Sequence, residues 1–373
     1  MPIQFAARKG PLAHECREVM KKRKVARSAA KRPSHGSVAK SRRTASRART
    51  IGIVPRPSAN GIRKRGSQRQ TVSLALVQFA PRKGDVNANL ERIEQVFSAL
   101  RHDKEGFPSV VVFPEASLSG YFVEGGVREV ALTAQAVLKR LSKAAQKACG
   151  PNHPPFDVVL GFYEDDGGKL YNSALYASLG AHPALRHVHR KLFLPTYGVF
   201  DEERFVTRGR TIEAFDTSHG RAAILICEDA CHSIAVTVAA LRGAQILYIP
   251  SASPGRGLED AEPANVRMWR DIMRVSAAEH GIFIVYAGLV GFEGGKGFTG
   301  ASRLMGPFGD LRVEAPFDGA AIVRTTISLA DVNIARAALP ALGDLESNLS
   351  ELTTMFDEEV ANRPTRPKAR PRA

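Results

Sequence analysis

A layered α/β domain is the architecture that the apolar pattern of this chain implies, and three features point the same way. From Thr71 onward, short apolar runs of strand length alternate with longer runs of helical spacing. Several of the short runs are apolar at consecutive positions, as in strands buried on both faces. Reactive side chains stand where such runs end, and strand ends are where open α/β sheets gather their functional groups.

In chain order, "VSLALVQFA" (72–80) reads as a strand, and "NANLERIEQVFSALRHD" (87–103) has apolar residues at 90, 93, 96, 97 and 100, which is helical spacing. "PSVVVFPE" (108–115) is a buried strand, followed by a helix from about Glu129 to Ala148. "FDVVLGFYE" (156–164) and "LYNSALYAS" (170–178) are strands joined by "DDGGK", a turn rich in residues that tolerate positive φ. "RAAILICE" (221–228) is another buried strand, the segment after it is helical to about Arg242, and "AQILYIPSA" (244–252) is a strand. "PANVRMWRDIMRVSAAEHG" (263–281) is a helix stopped by glycine, leading into the strand "IFIVYAGLV" (282–290). Leu345 to Ala361 reads as an amphipathic helix of the kind often spent on a neighbouring subunit, so a homo-oligomer, dimer or higher, is expected. No internal repeat or second domain is visible.

At 373 residues and 44% hydrophobic, the chain can bury a full core. Its charge is unevenly placed. Residues 1–70 hold 20 of the 53 Lys and Arg and only two acids, Glu15 and Glu18, for +18. Residues 71–362 carry 28 bases and 35 acids, for −7. The divisions expected are a basic disordered arm (1–70), one catalytic domain (71–340), and a C-terminal helix with a basic tail (341–373). The arm is too poor in apolar residues to offset its chain entropy. A disordered arm, a cleaved transit peptide and an upstream extension of the reading frame all fit its composition. The basic arm is compatible with contact to nucleic acid or another polyanion, but nothing beyond its charge supports one, and the body carries no nucleic-acid motif. No secretory signal or membrane span is visible, and the four cysteines (16, 149, 227, 231) form no disulfide framework. A reducing, cytoplasmic setting is the expectation.

"ILICEDACH" (224–232) sets a buried strand against Cys227. A thiol at a strand end is commonly inert packing. Glu115 also stands where a buried strand runs out, and convergent strand ends would let the two meet; its bland reading is a carboxylate bonded to a helix N-terminus. Lys191, in "HRKLFLPTYGVFDEERFVTRG" (189–209), is either a solvated charge or, with bulky neighbours covering its stem, a cation that stabilises an oxyanion. A zinc reading would draw on Cys227, Cys231 and His232 with His187 or His189, but the pairing of ligand clusters is missing. "GFEGGKGFTG" (291–300) lacks the Lys-Ser/Thr of a phosphate loop and reads as a loop between strands, and no GxSxG elbow exists.

"FPEASLSGY", "HRKLFLPTYGVFDEERF" and "ILICEDACH" resemble the three signature blocks of the nitrilase superfamily of carbon–nitrogen hydrolases, and the resemblance runs from about Val72 to Ala335. It implies a four-layer αββα sandwich and a catalytic set of Glu115, Lys191 and Cys227, with Glu202 as a supporting second carboxylate. It implies hydrolysis of a non-peptide carbon–nitrogen bond of a small amide through a cysteine thioester, needing neither metal nor organic cofactor. A nitrile or an N-carbamoyl amide is the alternative substrate, and a binding protein that kept the fold without turnover is the alternative to an enzyme. Within the superfamily the motifs resemble the glutamine-hydrolysing domain of glutamine-dependent NAD synthetases, although Cys231 stands where that branch usually places an aromatic residue. The chain stops soon after the hydrolase segment, so a role in NAD synthesis is not expected to carry over. By position in matching blocks, Tyr121, Tyr197, Glu228, Ser251 and Ser253 are candidates for the substrate wall; ordinary packing or turn roles fit each equally well.

Overall fold

The structure is a computed structural model that describes residues 71–256 and 261–363; the expected arm 1–70, Cys16 and the basic tail beyond 363 lie outside the described residues. The first half runs β1 (Thr71–Gln78), α1 (Val86–Arg101), β2 (Val110–Val112), α2 (Val127–Val130), α3 (Ala134–Cys149), β3 (Phe156–Asp166), β4 (Lys169–Leu179) and β5 (Ala184–Arg190). The second runs β6 (Ala214–Thr217), β7 (Gly220–Ile224), α4 (Glu228–Cys231), α5 (Ser233–Leu241), β8 (Ile246–Ser251), α6 (Ala264–His280) and β9 (Phe283–Gly288). A hairpin of β10 (Val290–Glu293) and β11 (Lys296–Thr299) follows, then β12 (Arg303–Met305), β13 (Leu311–Glu314), β14 (Ala321–Ser328), α7 (Ala330–Ala338), α8 (Ala341–Ser347) and α9 (Leu349–Asn362).

The strands form two six-stranded sheets, ordered β14-β1-β2-β3-β4-β5 and β13-β12-β9-β8-β7-β6. Each has three parallel strands at its centre, β1-β2-β3 and β7-β8-β9, flanked by antiparallel partners. Successive side chains of a strand point to opposite faces, and here both faces are apolar. Leu74 and Leu76 of β1 meet Tyr248 of β8 and Val285 of β9 in a core between the sheets. Ala75 and Val77, on the other face of β1, pack with Phe97 of α1 and Leu141 of α3. On the second sheet, Leu247 and Ile249 pack with Val236 of α5 and with Trp269 and Met273 of α6. The order helix, sheet, sheet, helix is the four-layer sandwich that the resemblance implied, and it explains why the central strands read as continuous apolar runs.

Local chemistry sets the boundaries. Asp85 caps α1 by accepting the N–H of Ala88 at 3.0 Å, and that bond holds its carboxyl below the usual carboxylate range. The helix expected from Glu129 starts only at Ala134, capped by Thr133, because Leu132 is drawn into backbone bonds with Tyr163 and Asp165 beside β3. Gly167 and Gly168, both at positive φ, turn β3 into β4. "GFEGGKGFTG" is not a loop between strands but largely forms the β10–β11 hairpin, with Gly294 and Gly295 at positive φ supplying its turn. The C-terminal helix is broken at Asn348 into α8 and α9, leaving Met355, Phe356 and Val360 exposed. Among the described residues no helix is long and apolar enough to cross a membrane.

Candidate active site

Glu115 lies just past β2, at the end of a parallel strand of the first sheet. The chain turns sharply there, with Ala116 at φ +50°, and β3 passes so close that a Cβ on Gly161 would sit 2.5 Å from the Glu115 Cα. Glycine at 161 is therefore a condition for placing the carboxylate. Lys191 follows β5, with its N–H bonded to the Asn172 carbonyl at 2.9 Å. Glu202 opens a single 3-10 turn, Glu202–Arg204. Cys227 ends the run after β7 and stands immediately before α4 with φ +44° and ψ −104°, a strained conformation for a non-glycine residue.

These side chains, distant in sequence, converge. Glu115 Oε1 accepts hydrogen bonds from Lys191 Nζ (2.8 Å) and Asn172 Nδ2 (2.8 Å), and Oε2 accepts the N–H of Ala252 (2.7 Å). Lys191 Nζ also donates to Glu202 Oε1 at 2.6 Å, and Tyr121 donates its hydroxyl to the same oxygen. Ser251 Oγ donates to Cys227 Sγ at 3.2 Å. Ser251 and Ala252 are consecutive, so the end of β8 holds the thiol with one residue and the Glu115 carboxylate with the next.

Burial sets the charge states. Glu115, Lys191 and Glu202 are 0%, 1% and 7% exposed. Desolvation works against the Lys191 ammonium, but the Glu115 and Glu202 carboxylates outweigh it and hold the amine protonated well above its ordinary range. Burial raises the Glu202 carboxyl despite the adjacent ammonium. The Cys227 thiol is pushed well above the usual cysteine value, first by burial and then by the negative charge of Glu115, so at rest it is a neutral thiol beside a carboxylate.

The family model for carbon–nitrogen hydrolases matches residues 73–337. The chain belongs to the carbon–nitrogen hydrolase family. It is similar to a glutamine-dependent NAD(+) synthetase of Aquifex aeolicus, 29% identical over 266 residues that make up 70% of this chain and 43% of that one. The chain spans about two fifths of the length of the NAD synthetases it matches. A probable nitrilase of Schizosaccharomyces pombe is 27% identical over 69% of this chain and 89% of its own length. Among solved structures, a mutant of the amidase from Nesterenkonia sp. AN1, with the acetamide moiety of fluoroacetamide added covalently at its active-site cysteine, has the same fold; the TM-score is 0.60 at 22% identity, covering 76% of this chain and 97% of that one.

In this carbon–nitrogen hydrolase the positions expected to line a substrate divide. Tyr121 belongs to the charged cluster, its hydroxyl on Glu202 and its ring 5.7 Å from Lys191 Nζ. Ser251 is on the thiol. Tyr197 donates its hydroxyl to Glu228 at 2.8 Å, and Arg256 lies over the Tyr197 ring at 5.8 Å, so these three form an open rim beside Cys227. Ser253 is turned toward α6, where its Oγ accepts from Asn265 Nδ2 (3.0 Å) and Trp269 Nε1 (3.2 Å). A cavity of about 250 Å³ is bordered by Glu202, Tyr121 and Phe200 but not by Cys227, Lys191 or Glu115, so it opens on the Glu202 side of the cluster.

The residues of the zinc reading serve other contacts. His232 is stacked on Phe193 and His187 on Phe215. His189 Nε2 is 2.8 Å from the Asp229 carboxylate, and among the described residues no group of three His, Cys, Asp or Glu side chains is arranged to hold a metal ion. Two residues not singled out from sequence matter here. Asp229 is fully buried and accepts the N–H groups of Leu192 (2.9 Å), Phe193 (2.8 Å) and Ile226 (3.0 Å), tying the Lys191 segment to the Cys227 turn. Asn172, in the middle of β4, holds Glu115. Asp229 lies inside the quoted "ILICEDACH" block, whereas Asn172 gave no signal beyond a polar residue in an apolar strand.

Proposed function

We propose that this carbon–nitrogen hydrolase cleaves the amide of a small molecule to an acid and ammonia or an amine, through a thioester on Cys227. One observation carries the reading: consecutive residues at the end of β8 bond both groups, Ser251 the Cys227 sulfur and Ala252 the Glu115 carboxylate. Among the described residues Glu115 Oε1 accepts two hydrogen bonds and Oε2 one, which leaves Oε2 a lone pair for the thiol proton. A buried neutral thiol is a poor nucleophile, so a base must take its proton as attack occurs. The sulfur adds to the amide carbonyl carbon. Negative charge moves to the oxygen, where the Lys191 ammonium and the Glu228 N–H stabilise it; one such donor is typically worth about 10² to 10³ in rate. The carbon–nitrogen bond then breaks, and Glu115 returns the proton to the leaving nitrogen. Water enters, gives a proton to Glu115 and attacks the thioester, with Glu202 helping to position it; the acid departs as the thiol regains its proton.

The rim suggests which amides to try first. A carboxylate on Glu228 and a guanidinium on Arg256, both beside Tyr197, suit the ammonium and carboxylate ends of an amino acid, and the glutamine dependence named for the relatives points to the same side-chain amides. A nitrile is the second reading, favoured by the relative named a probable nitrilase and by the same groups supporting a thioimidate; an N-carbamoyl amide needs only a different acyl pocket. The test is ammonia release from side-chain amides of amino acids, simple primary amides, N-carbamoyl amino acids and nitriles, with Cys227→Ala as the blank. Release from one class that the blank lacks supports the reading. Identical behaviour of the two proteins on every class overturns it in favour of a binding protein.

A further inference from the structure

We infer that Glu293 is a positioning residue for this site: from the β10–β11 hairpin it fixes the Gly120–Phe122 loop and, through Tyr121, the placement of Glu202 and Lys191. The inference rests on the proposed reaction and adds to it a residue remote from the signature blocks.

Glu293 ends β10, in a hairpin that belongs to neither large sheet. Its carboxylate is buried, 5% exposed, and Oε2 accepts the N–H of both Tyr121 (2.9 Å) and Phe122 (2.9 Å). Those amides have no other acceptor among the described residues. The approach is close: Gly120 has φ +76°, and a Cβ there would lie 2.8 Å from Glu293 Oε1. The same hairpin grips the loop twice more, with Phe298 stacked on Phe122 at 5.5 Å and the Lys296 ammonium 4.4 Å from the Phe122 ring. From the other side, Tyr163 donates its hydroxyl to the Tyr121 carbonyl at 2.7 Å.

Tyr121 is thus clamped at its N–H, its carbonyl and its ring neighbours, while its free end, the hydroxyl, reaches Glu202. A carboxylate receiving two backbone N–H groups is a charge-assisted anchor, and a side chain with one rotatable stem carries any shift of its backbone to its tip. Glu202 in turn shares its Oε1 with Lys191. A displacement at Glu293 is therefore read out at the ammonium that the proposed mechanism aims at the oxyanion, where misplacement of about 1 Å can cost on the order of 10² in rate.

The test uses the intact protein and three readouts. Glu293→Ala is expected to lower kcat about 10- to 100-fold with little change in KM, and Glu293→Gln, which keeps an acceptor oxygen, to restore most of the loss. Glu293→Ala combined with Tyr121→Phe is expected to be no worse than the more damaged single variant, because both act along one chain of contacts. Independently of turnover, protein labelled with 3-fluorotyrosine gives a ¹⁹F resonance for Tyr121, assigned by its loss in Tyr121→Phe; that resonance is expected to move in Glu293→Ala. Additive losses in the double variant, or an unmoved Tyr121 resonance, overturn the inference. If the unmodified protein cleaves no substrate class, the proposed function falls, and the fluorine readout alone decides this inference.

Discussion

The cluster around Lys191 and the rim around Tyr197 both join a tyrosine and a cation to glutamate, two in the cluster and one on the rim, yet water treats them oppositely. In the cluster, Lys191 and Glu115 are all but sealed, and the ammonium and both carboxylate oxygens each have at least one hydrogen-bond partner. On the rim, Tyr197 is 48% exposed and Arg256 is open to solvent. Charges in a buried pair cannot fall back on hydration, so removing one leaves the other stranded. An exposed pair contributes about 0–1 kcal/mol and is readily exchanged. Under the proposed reaction, the contrast separates machinery that must not vary from a surface that can be tuned to a substrate.

The largest effect belongs to the sealed side. Lys191→Met leaves Glu115 and Glu202 facing each other without their counter-ion, and is expected to lower unfolding stability by about 3–5 kcal/mol in urea titrations. Ammonia release is expected to fall at least 10²-fold, as for loss of an oxyanion donor. The raised folded value of Lys191 means that its own stabilisation is fully present below the ordinary lysine value of 10.5. Without the ammonium, however, the buried Glu202 carboxyl loses the charge that most lowers it and keeps a proton that the unfolded chain releases, so the deficit of the variant should grow as pH rises above the ordinary carboxylate range. A loss under 1 kcal/mol would erase the distinction between the two regions. A middle-sized effect concerns the thiol. With its value raised well above 9.0, Cys227 should be alkylated by iodoacetamide at a rate that still climbs beyond pH 9, where an ordinary exposed thiol levels off; a plateau at or below 9 would mean a pre-formed thiolate. The smallest effect lies on the rim. Glu228→Gln should leave melting temperature nearly unchanged and raise KM for amides bearing an ammonium while sparing neutral ones. A large fall in kcat on neutral amides would place the Glu228 side chain, and not its N–H alone, in the machinery.

How much of this could be read from residues depended on range. Glu115, Lys191 and Cys227 each gave only a weak sign alone, an acid or a thiol closing an apolar strand and a lysine amid "LFLP"; it was the resemblance of their three blocks to one family that grouped them, and the fold brings the three segments to one cluster. β1, β3, β4, β8, β9 and α6 were legible because both faces of the strands, or one stripe of the helix, are apolar. What stayed hidden depends on contacts between distant segments. β5 carries "ALRHVHR", whose polar residues mask a strand that pairs with β4. Leu132 breaks an otherwise helical run only because β3 captures its backbone. Asn172, Asp229 and Glu293 are ordinary polar residues until the fold brings them against Glu115, Leu192 and Tyr121.

Glu115 closes a strand of one sheet and Cys227 ends the run after a strand of the other, so the proposed nucleophile and the proposed base lie on opposite sides of the seam between two six-stranded slabs. A slip of that seam would leave each slab's internal ladders whole and still part the sulfur from its proton acceptor. Turnover should consequently vanish under mild denaturant before circular dichroism records any change, making catalysis the more sensitive gauge of whether the two halves are in register.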